Sequence, residues 1–289
     1  MRTNLILAMI LGMMLNSCTI SVSAEAKEGV IPSKNYITQK VKVDNFDGIS
    51  TSTSIDVIYT QTISDTDVEI YAPDNLMEYV KVETVKGMLN ISFQSKEEGK
   101  GLRIKGRHDT KVYVSAPTVH TLMASSSGNI ILKNGLQYSG KVTTKASSSG
   151  DIKGENVICE SLDIKASSSG DIVLKKVECT SLRTEASSSG DVSIKNLKAE
   201  TVSAEASSSG DVSLIGTCHS AKLEASSAGD IEADKLKTDN VIAKASSAGD
   251  ITCYATESLD VSIFSAGKVS YKGNPKQILS KSKGLHKMD

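Results

Sequence analysis

Between residues 161 and 180, apolar or small side chains at Leu162, Ile164, Ala166, Ser168, Ile172 and Leu174 alternate with Asp163, Lys165, Ser167, Ser169 and Asp171. A period of two marks a strand with one face in a core and the other in solvent. The alternation slips at Lys175-Lys176 and resumes at Val177 and Cys179, which reads as a corner. Gly170 marks another corner, where backbone freedom is useful. The stretch predicts two short strands and a third stub.

The same pattern returns about every twenty residues, with glycines at 128, 150, 170, 190, 210, 229, 249 and 267. Two residues after each glycine stand Ile130, Ile152, Ile172, Val192, Val212, Ile231, Ile251 and Val269. Four before it stand Ala124, Ala146, Ala166, Ala186, Ala206, Ala225, Ala245 and Ile263. A fixed period of this length implies a solenoid whose units bury their apolar faces against their neighbours. Like residues superpose if successive coils stack as parallel strands. Leucine-rich repeats need an irregular return carrying Asn, and left-handed hexapeptide helices need a multiple of six. An all-β, right-handed parallel β-helix remains, in keeping with the handedness of parallel crossovers.

The first 120 residues repeat less plainly. Ile55-Asp56-Val57-Ile58-Tyr59, Val68-Glu69-Ile70-Tyr71, Met88 to Phe93 and Lys111 to Val114 alternate and are broken by Gly, Pro and Asp. They read as irregular early coils with a cap, since a solenoid end exposes an unpaired edge. Ser95 to Arg107, rich in Lys and Gly, reads as an exposed loop. The expected segments are a leader over 1–17, a tether over 18–39 and irregular β coils with a cap over 40–120. Regular repeats follow over 121–272, and a C-terminal cap or tail over 273–289.

Composition narrows the picture. Aromatic content is 4% with no Trp, so the core must be aliphatic. A net charge of −1 provides no field for nucleic acid or an anionic membrane. Arg2 and the apolar run Leu5 to Leu15 form an export signal too short to span a bilayer. Two cleavage sites fit: Leu15-Asn16-Ser17-Cys18 resembles a lipobox that would leave Cys18 acylated at the mature N-terminus, and Val22-Ser23-Ala24 fits ordinary cleavage before Glu25. A lipid-anchored protein would reside in the outer membrane or periplasm of a Gram-negative bacterium, facing either side.

Cys159, Cys179 and Cys218 all lie eleven residues before a glycine, with Ala199 in the same slot between them. That slot reads as a small-residue core column, because Cys is among the most buried residue types. No CxxC or CxxH pairing exists, so the spacing points to no metal site. A disulfide between Cys159 and Cys179 is compatible with the spacing but not required by it.

The most notable polar feature is a column of acids one after the glycine: Asp151, Asp171, Asp191, Asp211, Asp230 and Asp250, ended by Asn129 and Lys268. At strand spacing, neighbouring carboxylates repel by roughly 0.9 kcal/mol in water. Side-chain bonds to turn amides would offset this. The competing reading is a cation or ligand stripe that attracts Ca²⁺ or other cations, as paired oxygen ligands would, although one Asp per coil is sparse for calcium. No other cofactor is implied.

The serine two before each glycine (Ser126, Ser148, Ser168, Ser188, Ser208, Ser227, Ser247, Ser265) shares the phase of the buried Ala. It is therefore expected to point inward, in a ladder of mutually bonded hydroxyls, since an unpaired buried hydroxyl costs roughly 1–3 kcal/mol. Serines at minus three and minus one would make an outward hydroxyl surface from Ser147/Ser149 to Ser207/Ser209. His108, His120, His219 and His286 share no spacing with a nucleophile and an acid, so no catalytic residues are expected. Lys276, Lys281, Lys283 and Lys287 read as a polar end cap.

Phe46-Asp47-Gly48-Ile49, Ile55-Asp56-Val57, Gly87 to Ile91, the Ser-Gly-Asp-Ile coils and Tyr271-Lys272-Gly273-Asn274-Pro275 together resemble the DUF2807 family, the auto-transporter adhesin head GIN domain, over about residues 40 to 285. The resemblance implies a right-handed β-helix shaped like the pectin lyases, in an exported bacterial envelope protein, with no established catalytic residues. Many members have Gly-Ser-Gly where this chain has Ser-Ser-Ser-Gly.

Three functions fit. The first is a non-enzymatic envelope protein, an adhesin or binding scaffold presenting a repetitive Ser/Asp face to a glycan or surface protein. A polysaccharide-active enzyme of pectin-lyase-like shape is the second, and a ligand-free structural component the third. The lack of Trp and the scarcity of Tyr in the repeats count against a sugar-cleaving groove.

Overall fold

The computed structural model describes residues 29–96, 101–280 and 284–289. The expected leader, Cys18 and the first part of the tether lie outside these residues. The chain is all-β, with 65% strand and 2% helix, and forms a parallel β-solenoid of about eight turns.

The strands Ile152–Ser167, Ile172–Ser187, Val192–Ser207, Val212–Ser226 and Ile231–Ala245 follow one another as parallel neighbours. Each is a long ribbon bent at corners. In one pair Ile152 faces Ile172, Leu162 faces Leu182 and Ala166 faces Ala186. The expected columns are therefore real stacks. Burial follows three short phases per coil: Ile172 and Leu174, then Val177 and Cys179, then Leu182, Thr184 and Ala186. The phase slips at Lys175-Lys176 and again at Thr180-Ser181, two places where consecutive side chains stay out of the core. The second slip makes a full third side where the sequence suggested a stub.

The core is aliphatic, as the composition requires. Tyr59 is fully buried and its hydroxyl donates to the Ala116 carbonyl at 3.0 Å, with burial raising its pKa to about 12. Four rungs place Cys159, Cys179, Ala199 and Cys218 in one column, and Thr238 continues it. All four cysteines of the repeats are free, so the disulfide that the spacing left open does not form.

At the N-terminal end the chain doubles back. Gly48–Thr51 lies between Thr121–Ala124 and Met88–Phe93, and Asp56–Gln61 between Ile130–Leu132 and Lys111–Ala116, all parallel. Beyond them pairing turns antiparallel, through Val80–Val85 on one side and Asp67–Pro73 then Tyr36–Lys40 on the other. The helical turn Asp74–Met77 buries Leu76 and Met77 against this cap. Residues 29–39, expected within a tether, are built into the cap: Ser33 and Asn35 hydrogen-bond to the Asp74 carboxylate. The segment expected as an exposed loop has exposed or half-buried residues over 101–107 and touches the cap at one bridge, where Val30 pairs with Ile104.

Candidate functional site

One corner of every coil is built alike. In Ser167-Ser168-Ser169-Gly170 the Gly170 N–H donates to the Ser167 carbonyl at 3.0 Å. Ser168 and Ser169 have φ of 51° and 63°, so both central residues are left-handed, the pattern of a type I′ turn. The Ser169 N–H reaches the Ser188 carbonyl of the next coil at 3.3 Å. These turns carry the backbone ladder round the corner.

The structure corrects two expectations here. Ser126, Ser148, Ser168, Ser188, Ser208, Ser227, Ser247 and Ser265 are all exposed, so no inward hydroxyl ladder forms. The left-handed turn breaks the period of two just after the buried Ala and swings the serine outward. The glycine, for its part, is not the left-handed residue. A Cβ on Gly170 would lie 2.5 Å from the Ser147 nitrogen and 2.7 Å from its Cα. Glycine is needed because the preceding coil's backbone passes too close, not because of φ.

The aspartate column runs beside this corner. The Asp171 N–H donates to Asp151 Oδ1 at 3.2 Å, and the same bond joins Asp191 to Asp171, Asp211 to Asp191, Asp230 to Asp211 and Asp250 to Asp230 at 3.0–3.1 Å. One oxygen of each acceptor carboxylate is thereby occupied by the next coil's amide. Lys153 sits 3.1 Å from the second oxygen of Asp151 and Lys268 3.6 Å from that of Asp250. Burial raises the Asp191 carboxyl above its ordinary pKa; the Asp211 amide opposes this, and the charges of Asp171 and Asp211 add to it.

The ladder starts earlier than the glycines indicate. Asp151 N–H donates to Asn129 Oδ1 at 3.0 Å, and Asn129 Nδ2 to Asp56 Oδ1 at 2.8 Å. Thr53 and Ser54 are exposed and left-handed, at φ of 63° and 62°. Thr51-Ser52-Thr53-Ser54-Ile55-Asp56-Val57 is thus another copy of Ala-Ser-Ser-Ser-Gly-Asp-Ile. Sequence reading missed it because Ile55 stands in the glycine's slot. The likeness of the six other positions was the available signal.

The result is a ridge along one edge of the solenoid. It presents exposed hydroxyls at Ser148, Ser149, Ser168, Ser169, Ser188, Ser189, Ser208 and Ser209, half-buried ones at Ser147, Ser167, Ser187 and Ser207, and the outer aspartate oxygens. Among the described residues no hydrogen bond within the chain uses the exposed hydroxyls of Ser168, Ser169, Ser188 or Ser189, so they remain available as donors and acceptors.

Other candidate groups are dispersed. His219 Nδ1 lies 3.0 Å from Asp239 Oδ2, and Thr256 Oγ1 donates to Asp239 Oδ1 at 2.9 Å. These bonds hold the Asp239 carboxyl below its ordinary pKa. The neighbours of His219 in its column are Glu200 and Asp239, both acids, rather than a nucleophile. His120 pairs with Asp47 at 3.3 Å and lies beside Tyr138. Among the described residues no group of three or more His, Cys, Asp or Glu is arranged to hold a metal ion. Lys276 is paired with Glu257, while Lys281 and Lys283 lie outside the described residues.

A parallel β-solenoid with a repeated serine–aspartate corner is the class that fold and surface define. Within that class the chain belongs to the DUF2807 family, described as the putative auto-transporter adhesin, head GIN domain, whose sequence profile matches residues 45–213 and 172–275. It is similar to the crystal structure of a putative adhesin from Bacteroides fragilis, at 25% identity and TM-score 0.51, covering 90% of this chain and 96% of that one. A putative adhesin from Parabacteroides merdae matches at 19% identity and TM-score 0.63, covering 90% and 99%. A putative lipid binding protein from Parabacteroides distasonis matches at 21% and 0.61, covering 91% and 100%. The last two likenesses concern fold alone. The comparison with curated proteins found no match. The family points to an exported or cell-envelope protein, and no helix of the described residues is long and apolar enough to cross a membrane.

Proposed function

We propose that the protein is a non-enzymatic binding scaffold of the cell envelope, adhesin-like, whose serine–aspartate ridge engages a repetitive glycan or surface protein. One observation carries this reading: serines occupy both left-handed positions of the corner in five successive coils, from Ser126-Ser127 to Ser208-Ser209, and the first of them at Ser227, Ser247 and Ser265, with Ala228 and Ala248 in the second. A non-glycine residue there costs on the order of 1 kcal/mol, and glycine would remove that cost. Retaining a hydroxyl at strained, solvent-facing positions makes sense if the hydroxyl itself is used. The repeat supplies the affinity, since many weak identical contacts sum along the stack.

The test replaces Ser168, Ser169, Ser188, Ser189, Ser208 and Ser209 with Gly, which deletes hydroxyls while easing the backbone. On an array of glycans and matrix proteins, the wild type binds a repetitive ligand and the variant does not, at equal or higher Tm. Undiminished binding by the variant, or a silent array for the wild type, rejects the ridge.

The placement we propose is the outer membrane or periplasm of a Gram-negative cell, anchored by lipid on Cys18. Cys18 stands three residues after Leu15, the end of the leader's apolar run, which supports that reading. Cys18→Ala then releases the protein from the membrane fraction; unchanged fractionation rejects the anchor. Proteolysis of intact cells reports which side it faces.

A further inference from the structure

Cys159 and Cys179 are twenty residues apart in sequence, a spacing that matches no metal-binding motif, yet the solenoid makes them direct partners on neighbouring parallel strands. Both cysteines are free and buried, each residue retaining 8% exposure. A cavity of about 250 Å³ opens over them, lined also by Glu178, Lys198, Ala199 and Glu200. Ala199, the next rung of the column, leaves room where a third side chain of that size would stand.

We infer that Cys159 and Cys179 together form a two-thiolate site for a soft, closed-shell metal cation of the copper(I) type. Equivalent atoms on adjacent parallel strands repeat at about 4.8 Å. A disulfide needs sulfurs about 2.05 Å apart and Cβ atoms at about 3.5–4.5 Å, closer than in-register side chains stand. A zinc–thiolate bond is about 2.3 Å, and two metal–sulfur bonds of that order laid end to end span about 4.6 Å, close to the rung. Thiolates select copper(I) over hard cations. Binding replaces two S–H bonds with two S–metal bonds, releases two protons and oxidises nothing. The resulting complex is anionic; the one lysine lining the cavity, Lys198, is paired with Glu178 at 3.3 Å and Glu200 lines it too, so the two sulfurs and not the surrounding charge supply the affinity.

The test titrates the full chain, reduced and kept anaerobic, with copper(I) in competition with a chromophoric copper(I) chelator. The wild type retains one equivalent at a chelator concentration that strips Cys159→Ala and Cys179→Ala, while Cys218→Ala retains it. Ala199 already occupies the column, so alanine fits there, and matching circular dichroism and Tm confirm the fold of each variant. Cys18 and Cys253 are common to every sample, so the difference isolates the pair. Equal loss of copper(I) from the wild type and both single variants overturns the site. So does a mass two hydrogens short in metal-free protein after exposure to air, lost in Cys159→Ala and in Cys179→Ala, which would show that oxygen joins these two sulfurs and that they stand closer than the site requires.

Discussion

The backbone N–H of Asp171 donates to the carboxylate of Asp151 at 3.2 Å, one coil away, and this bond is the unit of a ladder reaching Asp250. It explains how like charges tolerate being stacked: each carboxylate gains a backbone amide, a charge-assisted bond that outweighs repulsion through water. At Asp191 the balance is the least favourable resolved, since burial, followed by the charges of Asp171 and Asp211, raises its pKa from 3.8. A raised carboxyl contributes stability that is complete below about pH 3.8 and lost as pH rises through the folded value. Asp191→Asn keeps the Oδ1 acceptor and never ionises. It should raise Tm at pH 7, with the gain shrinking as pH falls toward the ordinary carboxylate range. Asp191→Ala removes the acceptor for the Asp211 amide and should cost about 1 kcal/mol. Tm measured across pH separates the two, and a pH-independent gain for the Asn variant contradicts the assignment.

Gly190 and Ser188 carry opposite constraints within one turn. A Cβ at Gly190 would meet the Ser167 nitrogen at 2.5 Å and its Cα at 2.7 Å, and backbone cannot swing aside as a side chain can. Gly190→Ala should cost about 3 kcal/mol. Ser188→Gly, at a φ of 51°, should hold stability level or raise it by up to about 1 kcal/mol. Denaturant midpoints for the pair check this; the reverse ranking means the corner is misassigned.

Thr184 is fully buried, and its hydroxyl has no hydrogen-bond partner. Ile164 and Ala204 are its rung neighbours in the column, so the site is apolar. Thr184→Val removes an unpaired polar group at nearly constant shape and should stabilise by about 1 kcal/mol, read as a higher unfolding midpoint. A loss of stability would mean the hydroxyl has a partner after all.

Calcium needs six to eight oxygen ligands. The ladder commits one oxygen of each acceptor carboxylate to an amide, which leaves too few convergent oxygens for tight coordination. Added Ca²⁺ and added chelator should leave Tm unchanged. A clear rise with Ca²⁺ would restore the stripe as a cation site.

The stacked coils were legible in the sequence because burial on a strand has period two and the glycines mark every turn; Ile152 over Ile172 and Ala166 over Ala186 follow directly. The orientation of Ser168 was not legible. Extending the alternation past Ala166 puts it inside, and only the two successive left-handed residues, which serine does not announce as Asn-Gly would, turn it out. The glycine's true role was hidden for a related reason, since a clash with the preceding coil is a property of the stack and not of the local chain. The doubling back at the cap, which lays Gly48–Thr51 against Thr121–Ala124, depends on pairing across some seventy residues that no local pattern encodes.

Coil number tests the central claim, that identical corners act together on one ligand. Deleting residues 172–191 joins Asp171 to Val192 and keeps every column in phase; deleting 172–211 joins it to Val212. With a ligand identified on the array, the apparent Kd should weaken stepwise with each coil removed, while circular dichroism per residue stays constant. The same Kd at all three lengths would show that the repeated ridge is not what binds.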